Sequence, residues 1–268
     1  MKYKLVASDF DDTMVDDNLK IGEKTKRAVK KYVEKGGKFV LCTGRMISAI
    51  LPYARELGLH GEVVGYQGTV IADIDTGKFI KEDKMPYETA VKLLNFAEEL
   101  GVQAQYYYRD TFVIKEENEL SRMYAKYSFA PPLIVGMDPK EYLIQNKISP
   151  TKVLYLVPPE RVKEIISAVN DRFPDEVLAN TSKKFVVELV KKGIDKGVAM
   201  AYLGEKYGIP KEETVCIGDS LNDVAMLKYA GLAVVVENGS DEAKAYADVI
   251  APPSDRDAVA WVLENLVD

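Results

Sequence analysis

The sequence has few of the residues on which disulfide-rich proteins depend. Its 268 residues include two cysteines, Cys42 and Cys216, and a single histidine. Each cysteine lies inside an apolar run, which predicts buried core thiols, and two cysteines are too few for a disulfide framework. A chain of this length buries enough apolar surface to need neither a disulfide nor a structural metal.

Long apolar runs and an excess of basic residues are also missing. No run approaches the length of a membrane span, and the start of the chain lacks a signal-peptide pattern. We therefore expect a cytoplasmic protein that binds no membrane. The formal net charge of −6 disfavours nucleic-acid binding, so an anionic substrate must be attracted locally. The oligomeric state cannot be read from the sequence.

The organisation of the chain predicts an α/β fold with an insertion. The first and last thirds alternate short apolar strands with amphipathic helices, which indicates a parallel sheet covered on both faces. From about Pro86 the pattern changes to helix, strand, strand, twice over, and the short turns imply antiparallel pairing. We predict a core formed by residues 1–83 and 188–268, with an inserted α/β domain at 84–187.

Polar motifs follow the predicted core strands or begin a core helix. Open parallel sheets bind ligands beyond the carboxyl ends of their strands, so these motifs should converge on one edge. They are Asp9-Phe10-Asp11-Asp12-Thr13, Thr43-Gly44-Arg45, Lys196-Gly197 and Gly218-Asp219-Ser220-Leu221-Asn222-Asp223. Each alone is more simply a solvated turn or a helix cap. Their placement at one end of four core elements favours a shared site.

The residue types in these motifs suit the chemistry of phosphate esters. Several carboxylates brought together without opposing arginines are tolerable only around a cation, and oxygen ligands suit Mg²⁺. The ion would neutralise a phosphate while one carboxylate attacks it and a second acid protonates the leaving alcohol. A threonine hydroxyl, a glycine N–H and a lysine would supply donors to the phosphate oxygens.

In these motifs, and in their order, the sequence resembles the haloacid dehalogenase superfamily. The resemblance covers essentially the whole chain, and the Asp-x-Asp-x-Thr and Gly-Asp-x-x-Asn-Asp elements are its specific part. The position of the insertion, between the second and third motifs, resembles the Cof-type branch (subfamily IIB). That resemblance implies a Rossmann-like parallel-sheet core, a C2B-type α/β cap that sets substrate specificity, and Mg²⁺ as cofactor.

The resemblance also implies roles for the acids and the lysine. Asp9 would be the nucleophile and a magnesium ligand. Asp11 would be the general acid and then the base, with its backbone carbonyl on the metal. Asp219 would be a further ligand, and Asp223 would order the metal's waters. Lys196 would stabilise the charge of the phosphoryl group.

A second set of residues is implied in phosphate binding. Thr43 and the backbone amide of Gly44 would hold the phosphoryl group, with Arg45 and Lys196 in the same substrate-binding set. Asn222 would bind phosphate or position Lys196.

Other residues of the motifs concern the loops around the site. Thr13 would support the loop of the nucleophile. Asp12 stands where the family commonly has glycine, and it adds charge near the metal. Tyr66-Gln67-Gly68-Thr69 stands where the branch usually carries Asn-Gly, which leaves the role of Gln67 open.

These inferences predict a phosphoric monoester hydrolase acting on small phosphorylated metabolites, chiefly sugar phosphates, through a phospho-aspartate on Asp9. Two alternatives stay open at this stage. One is a phosphotransferase or phosphomutase acting on sugar phosphates, and the other is a regulatory protein on a non-catalytic version of the fold.

Overall fold

A computed structural model describes residues 1–15, 18–117, 119–128, 130–181 and 185–267. By contacts the chain divides into two compact units. The first comprises Met1–Gly44, Leu51–Ile80 and Asp195–Asp268, and the second comprises Arg45–Ile50 and Lys81–Ile194.

The regular elements alternate along both units. The strands are β1 Leu5–Ser8, β2 Lys38–Leu41, β3 Glu62–Gly65, β4 Val70–Asp73, β5 Phe79–Glu82, β6 Gln103–Tyr108, β7 Thr111–Ile114, β8 Leu133–Ile134, β9 Lys152–Leu156, β10 Val177–Asn180, β11 Val186–Lys191, β12 Thr214–Gly218, β13 Leu232–Val236 and β14 Val249–Ala251. The helices are α1 Glu23–Glu34, α2 Ile47–Glu56, α3 Tyr87–Glu99, α4 Glu119–Ser128, α5 Pro139–Asn146, α6 Val162–Arg172, α7 Lys196–Tyr207, α8 Val224–Tyr229, α9 Asp241–Lys244 and α10 Ala258–Val262.

The main sheet of the first unit is parallel, as its apolar strands predict. Its order is β14-β13-β12-β1-β2, with β1 in the centre between β12 and β2. Strand β1 is buried along its whole length, because a central parallel strand is covered on both faces. The loops that follow β1 and β12 leave the sheet at the same edge, so the parallel order brings two of the acidic motifs together.

A second, smaller sheet in the first unit differs from a purely parallel core. Strands β3, β4 and β5 form it in that order, and β3 pairs with β4 antiparallel. The chain between β3 and β4 is the short turn Tyr66–Thr69, which is too short for a parallel crossover. Strand β5 was not predicted, because its residues are only partly buried and show no apolar run.

The second unit is built on a mixed sheet of order β10-β11-β9-β6-β7-β8. All its neighbouring strands pair antiparallel except β7 and β8, which are parallel. Apolar side chains from alternate positions of the sheet pack with α3 and α6 into one core cluster. This α/β architecture confirms the predicted fold class.

Helix α5 was missed by the sequence analysis. Asp138 is its N-cap and accepts hydrogen bonds from the N–H groups of Lys140 and Glu141, while Pro139 occupies the first turn. These are regular start signals, but the surrounding prolines suggested an irregular stretch. Among the described residues, no helix combines the length and apolar character needed to cross a membrane.

Candidate active site

Asp9 and Lys196 form the centre of the site in the first unit. Asp9 follows β1, and its N–H donates to the carbonyl of Ile217 on the neighbouring strand at 2.8 Å. Lys196 begins α7 and is completely buried. Its Nζ lies 2.6 Å from Asp9 Oδ1 and 2.6 Å from Asp223 Oδ1. A lysine is rarely buried to this extent unless it is paired, and here two carboxylates pair with it.

Three carboxylates converge beside this lysine. One oxygen from each of Asp9, Asp219 and Asp223 lies within 4.8 Å of the others. Thr13, which is fully buried, donates its hydroxyl to Asp219 Oδ1 at 2.9 Å. The predicted loop-supporting residue therefore holds one of the predicted metal ligands directly.

The loop after β12 presents Asp219 and Asp223 through its own backbone. Asp223 Oδ2 accepts hydrogen bonds from the N–H groups of Asp219 at 2.9 Å and Ser220 at 3.1 Å. Ser220 and Asp223 together form a capping box on the helical turn Leu221–Asp223. One oxygen of Asp223 thus holds the loop, while the other faces Lys196.

The charges at the site repel one another despite the lysine. Burial and, after it, the carboxylate of Asp223 raise the pKa of Asp219 to about 7, against the hydrogen bond from Thr13 and the charge of Lys196. Burial also raises the pKa of Asp9, while Lys196 opposes that shift. Burial alone would lower the pKa of Lys196, but Asp223 and Asp9 outweigh it and raise that pKa. One ammonium therefore does not balance three carboxylates.

This imbalance is the observation that fits a cation. The donors are hard carboxylate oxygens, which are the ligands of divalent ions such as Mg²⁺ rather than of soft metals. A divalent ion would supply the missing positive charge at Asp9 and Asp219. Asp11, whose side chain is half-buried, is not one of the three clustered carboxylates.

Asp12 has a conformation that explains why glycine is common at its position. Its φ is 59°, in the left-handed region, and its side chain is exposed. Aspartate is one of the residues that tolerate this region. The carbonyl of Asp12 accepts a hydrogen bond from Asn238 Nδ2 at 2.8 Å, and Asn238 Oδ1 accepts one from the N–H of Ser254. Asn238 thereby links the loop that follows β1 to the backbone of Ser254.

The predicted phosphate-binding residues are placed only in part. Thr43 is buried, and its N–H donates to the carbonyl of Val64 at 3.0 Å. Asn222 contacts Ser220 and Gln67. The ammonium of Lys196 is instead held by Asp9 and Asp223, so the direct positioning of Lys196 by Asn222 stays a prediction. Arg45 belongs to the second unit, so its substrate contact stays a prediction.

Gln67 is the residue that sequence reasoning did not assign. It is buried, and its Oε1 accepts a hydrogen bond from Asn222 Nδ2 at 3.0 Å. Its backbone N–H donates to the carbonyl of Thr43 at 3.1 Å. The signal in the sequence was a glutamine in place of the usual Asn-Gly pattern, but no periodicity shows which way such a side chain points.

A family model described as haloacid dehalogenase-like hydrolase matches residues 6–263. Among curated relatives, YxeH of Bacillus subtilis is 27% identical over 273 residues, which are 99% of this chain and 98% of that protein. The 5-amino-6-(5-phospho-D-ribitylamino)uracil phosphatase YitU of the same organism is 25% identical over 278 residues, 98% of this chain and 97% of its own length.

Solved structures share the fold of this chain. TM0651 from Thermotoga maritima superposes with a TM-score of 0.84 at 30% identity, covering 98% of this chain and 97% of that one. The subclass IIB sugar phosphatase BT4131 superposes with a TM-score of 0.81 at 21% identity, covering 97% and 98%. At that identity the second likeness shows the fold alone.

Proposed function

Because this chain belongs to the haloacid dehalogenase-like hydrolases and is a phosphatase, we propose that it hydrolyses phosphate monoesters of small metabolites with Mg²⁺ and a phospho-aspartate on Asp9. The observation that carries the proposal is the buried pair of Asp9 and Lys196 beside the carboxylates of Asp219 and Asp223. A nucleophilic carboxylate needs a neighbouring positive charge to approach a phosphate dianion.

The metal would be held by the carboxylates of Asp9 and Asp219, with Asp223 ordering its waters. Family resemblance adds the backbone carbonyl of Asp11. When bound, Mg²⁺ supplies the positive charge that draws electrons from the phosphoryl oxygens and offsets the repulsion among the acids.

In the first step, a carboxylate oxygen of Asp9 attacks phosphorus and the bond from phosphorus to the ester oxygen breaks. Asp11 donates its proton to that leaving oxygen, so the alcohol departs neutral. Lys196 stabilises the charge on the phosphoryl oxygens, together with Thr43 and the N–H of Gly44. The phosphoryl group is then attached to Asp9 as an acyl phosphate.

In the second step, Asp11 is the base. Its carboxylate takes a proton from water while the water oxygen attacks phosphorus, and the bond from phosphorus to Asp9 breaks. Inorganic phosphate leaves, and Asp9 and Asp11 return to their starting states. An acid in the position of Asp11 favours hydrolysis over storage of the phosphoenzyme, because it activates water promptly.

The substrate class we propose is the sugar phosphates and their phosphorylated polyol relatives. YitU carries a phosphorylated ribityl compound in its name, and BT4131 is described as a sugar phosphatase. The second unit, an α/β domain formed by Arg45–Ile50 and Lys81–Ile194, is the proposed determinant of specificity. A cap of this kind excludes water during the first step.

Phosphate release from a substrate panel tests the proposal. The panel contains sugar phosphates, nucleotides, pyridoxal phosphate and 5-amino-6-(5-phospho-D-ribitylamino)uracil, each with Mg²⁺ and with EDTA. We expect release with Mg²⁺, a loss of at least about 100-fold with EDTA, and recovery when Mg²⁺ is restored. Undiminished release in EDTA would contradict the site, and isomerised sugar phosphate without free phosphate would point to a mutase.

A further inference from the structure

The turn between β3 and β4 has an unusual backbone. Tyr66 and Gln67 have φ values of 52° and 58°, two consecutive left-handed residues that are not glycine, and Gly68 follows with a φ of 98°. Both side chains are buried, although the turn joins two short antiparallel strands. Left-handed residues other than glycine cost about 1 kcal/mol or more each and persist where surrounding contacts hold them. The contacts of Gln67 show what holds this turn.

The side chain of Gln67 lies between two of the predicted phosphate-binding segments. Its Oε1 accepts the hydrogen bond from Asn222 Nδ2 at 3.0 Å. Its Nε2 lies so close to Gly44 that a Cβ atom there would be 2.4 Å away. Any side chain at Gly44 would therefore displace the amide of Gln67, so the glycine is required for this approach.

The same turn also packs closely against a third predicted phosphate-binding segment, the start of α7 at Lys196. A Cβ atom on Gly68 would lie 2.2 Å from the carbonyl oxygen of Asp195 and 2.9 Å from the backbone nitrogen of Lys196. These are backbone atoms at the start of α7 and cannot move aside as a flexible side chain could. The turn Tyr66–Thr69 thus touches the segments of Gly44, Lys196 and Asn222 at once.

The amide of Asn222 is oriented by partners on both sides. Ser220 Oγ donates to Asn222 Oδ1 at 2.6 Å, and Asn222 Nδ2 donates to Gln67 Oε1. These two hydrogen bonds fix the plane of the Asn222 amide. One N–H of the Asn222 amide donates to Gln67, and in the proposed complex the second N–H would donate to the phosphoryl group.

We propose that Gln67 is a positioning residue, which acts mainly by fixing the amide of Asn222, and which also packs against Gly44, so that the Asn222 amide and the Gly44 N–H donate to the phosphoryl group. This assignment rests on the proposed phosphatase function. A glutamine here reaches one methylene further than asparagine, which lets it span from the turn to Asn222. Donors held in place before the substrate arrives need no reorganisation in the transition state.

Two variants test the assignment with different backbone effects. Gln67→Leu keeps the approximate size but removes the amide, and Gln67→Gly removes the side chain while accepting the left-handed φ. For both we expect kcat/KM to fall roughly 10- to 100-fold, since misplaced donors cost this much, and the inhibition constant of inorganic phosphate to rise. The Mg²⁺ concentration for half-maximal activity should stay within about two-fold, because the clustered acids are Asp9, Asp219 and Asp223 and Gln67 is not a proposed ligand.

Thr69→Val is the matched control in the same turn. Thr69 is buried, and its hydroxyl has no hydrogen-bond partner within the described residues. Replacing it with the isosteric valine should leave kcat/KM and phosphate inhibition within about two-fold. A loss equal to that of Gln67→Leu would show that the kinetics respond to any change in the turn, which would overturn the assignment.

A double-mutant cycle separates positioning from general damage. Because Gln67 acts mainly through Asn222, Gln67→Leu should lower kcat/KM by less than about three-fold when it is introduced into the Asn222→Ala variant. Additive losses of kcat/KM would overturn the inference, and so would wild-type kinetics in both Gln67→Leu and Gln67→Gly. Neither result would contradict the proposed phosphatase function. If the wild type released no phosphate, the proposed function itself would be contradicted.

The role of Gln67 would then be tested by calorimetric binding of inorganic phosphate in the presence of Mg²⁺. Weaker binding by Gln67→Leu would support the role, and unchanged binding would contradict it.

Discussion

Asp9→Asn is expected to abolish turnover, with kcat lowered by at least about 10⁴-fold while the fold is kept. The amide has nearly the shape of the carboxylate but lacks its nucleophilic oxygen and its charge. Burial raises the pKa of Asp9, and the nearby acids add to that shift, so that Lys196 only partly offsets it and an uncharged side chain is favoured at this position in the absence of metal. The metal-free variant should therefore unfold at a temperature no lower than that of the wild type. Phosphate release and thermal unfolding measure both expectations.

Asp12→Asn is the control for that variant. Asp12 lies in the same loop and is exposed, and asparagine tolerates its left-handed φ of 59°. We expect its kcat to stay within about three-fold of the wild type, since an exposed charge is well screened. If Asp9→Asn retained substantial activity in a preparation free of contaminants, the nucleophile would have to be another residue.

Lys196→Met is expected to have the second large effect, and on two properties. The ammonium is completely buried between Asp9 and Asp223, so its removal leaves two buried carboxylates without their partner. Removing one partner of such a pair typically lowers the free energy of unfolding by about 3–5 kcal/mol. The loss of charge stabilisation at the phosphoryl group should lower kcat by at least about 100-fold. Denaturant unfolding without metal and phosphate release measure the two effects.

The effect of added Mg²⁺ on the unfolding temperature is a second test of the role of Lys196. The ion would replace part of the missing positive charge, so it should raise the unfolding temperature of Lys196→Met more than that of the wild type. Lys24→Met is the control, since the ion pair of Lys24 with Glu264 is about half exposed and contributes about 1 kcal/mol or less. Wild-type stability and rate in Lys196→Met would contradict the roles given to this lysine.

The parallel core could be predicted because its signals are local and strong. Each strand is an apolar run, each acidic motif follows such a run, and parallel order then brings the motifs to one edge. That reasoning anticipated the convergence of Asp9, Asp219 and Asp223, which the structure places together. The resemblance to haloacid dehalogenases, confirmed by the family match over residues 6–263, assigned them chemical roles.

What could not be predicted depends on contacts across the chain. Strand β5 has little apolar character, and its pairing partner is set by the hairpin before it. The role of Gln67 depends on a turn conformation and on a partner, Asn222, that is 155 residues away. Helix α5 was different, since its cap signals were present at Asp138 and Pro139 but were outweighed by the prolines around them.

Chemical trapping of the phosphoenzyme tests the central claim most directly. The Asp11→Asn variant lacks the proposed base, so it should accumulate the acyl phosphate when it is mixed with Mg²⁺ and an aryl phosphate substrate, whose phenolate leaves without the proton that Asp11 would donate. Borohydride reduction converts a phospho-aspartate to homoserine, which peptide mass spectrometry locates by residue. We predict homoserine at position 9 in samples given substrate and none without it. Homoserine at another aspartate would contradict the phospho-aspartate mechanism on Asp9. The absence of homoserine at position 9, after the variant has released a full equivalent of the leaving group, would contradict it as well.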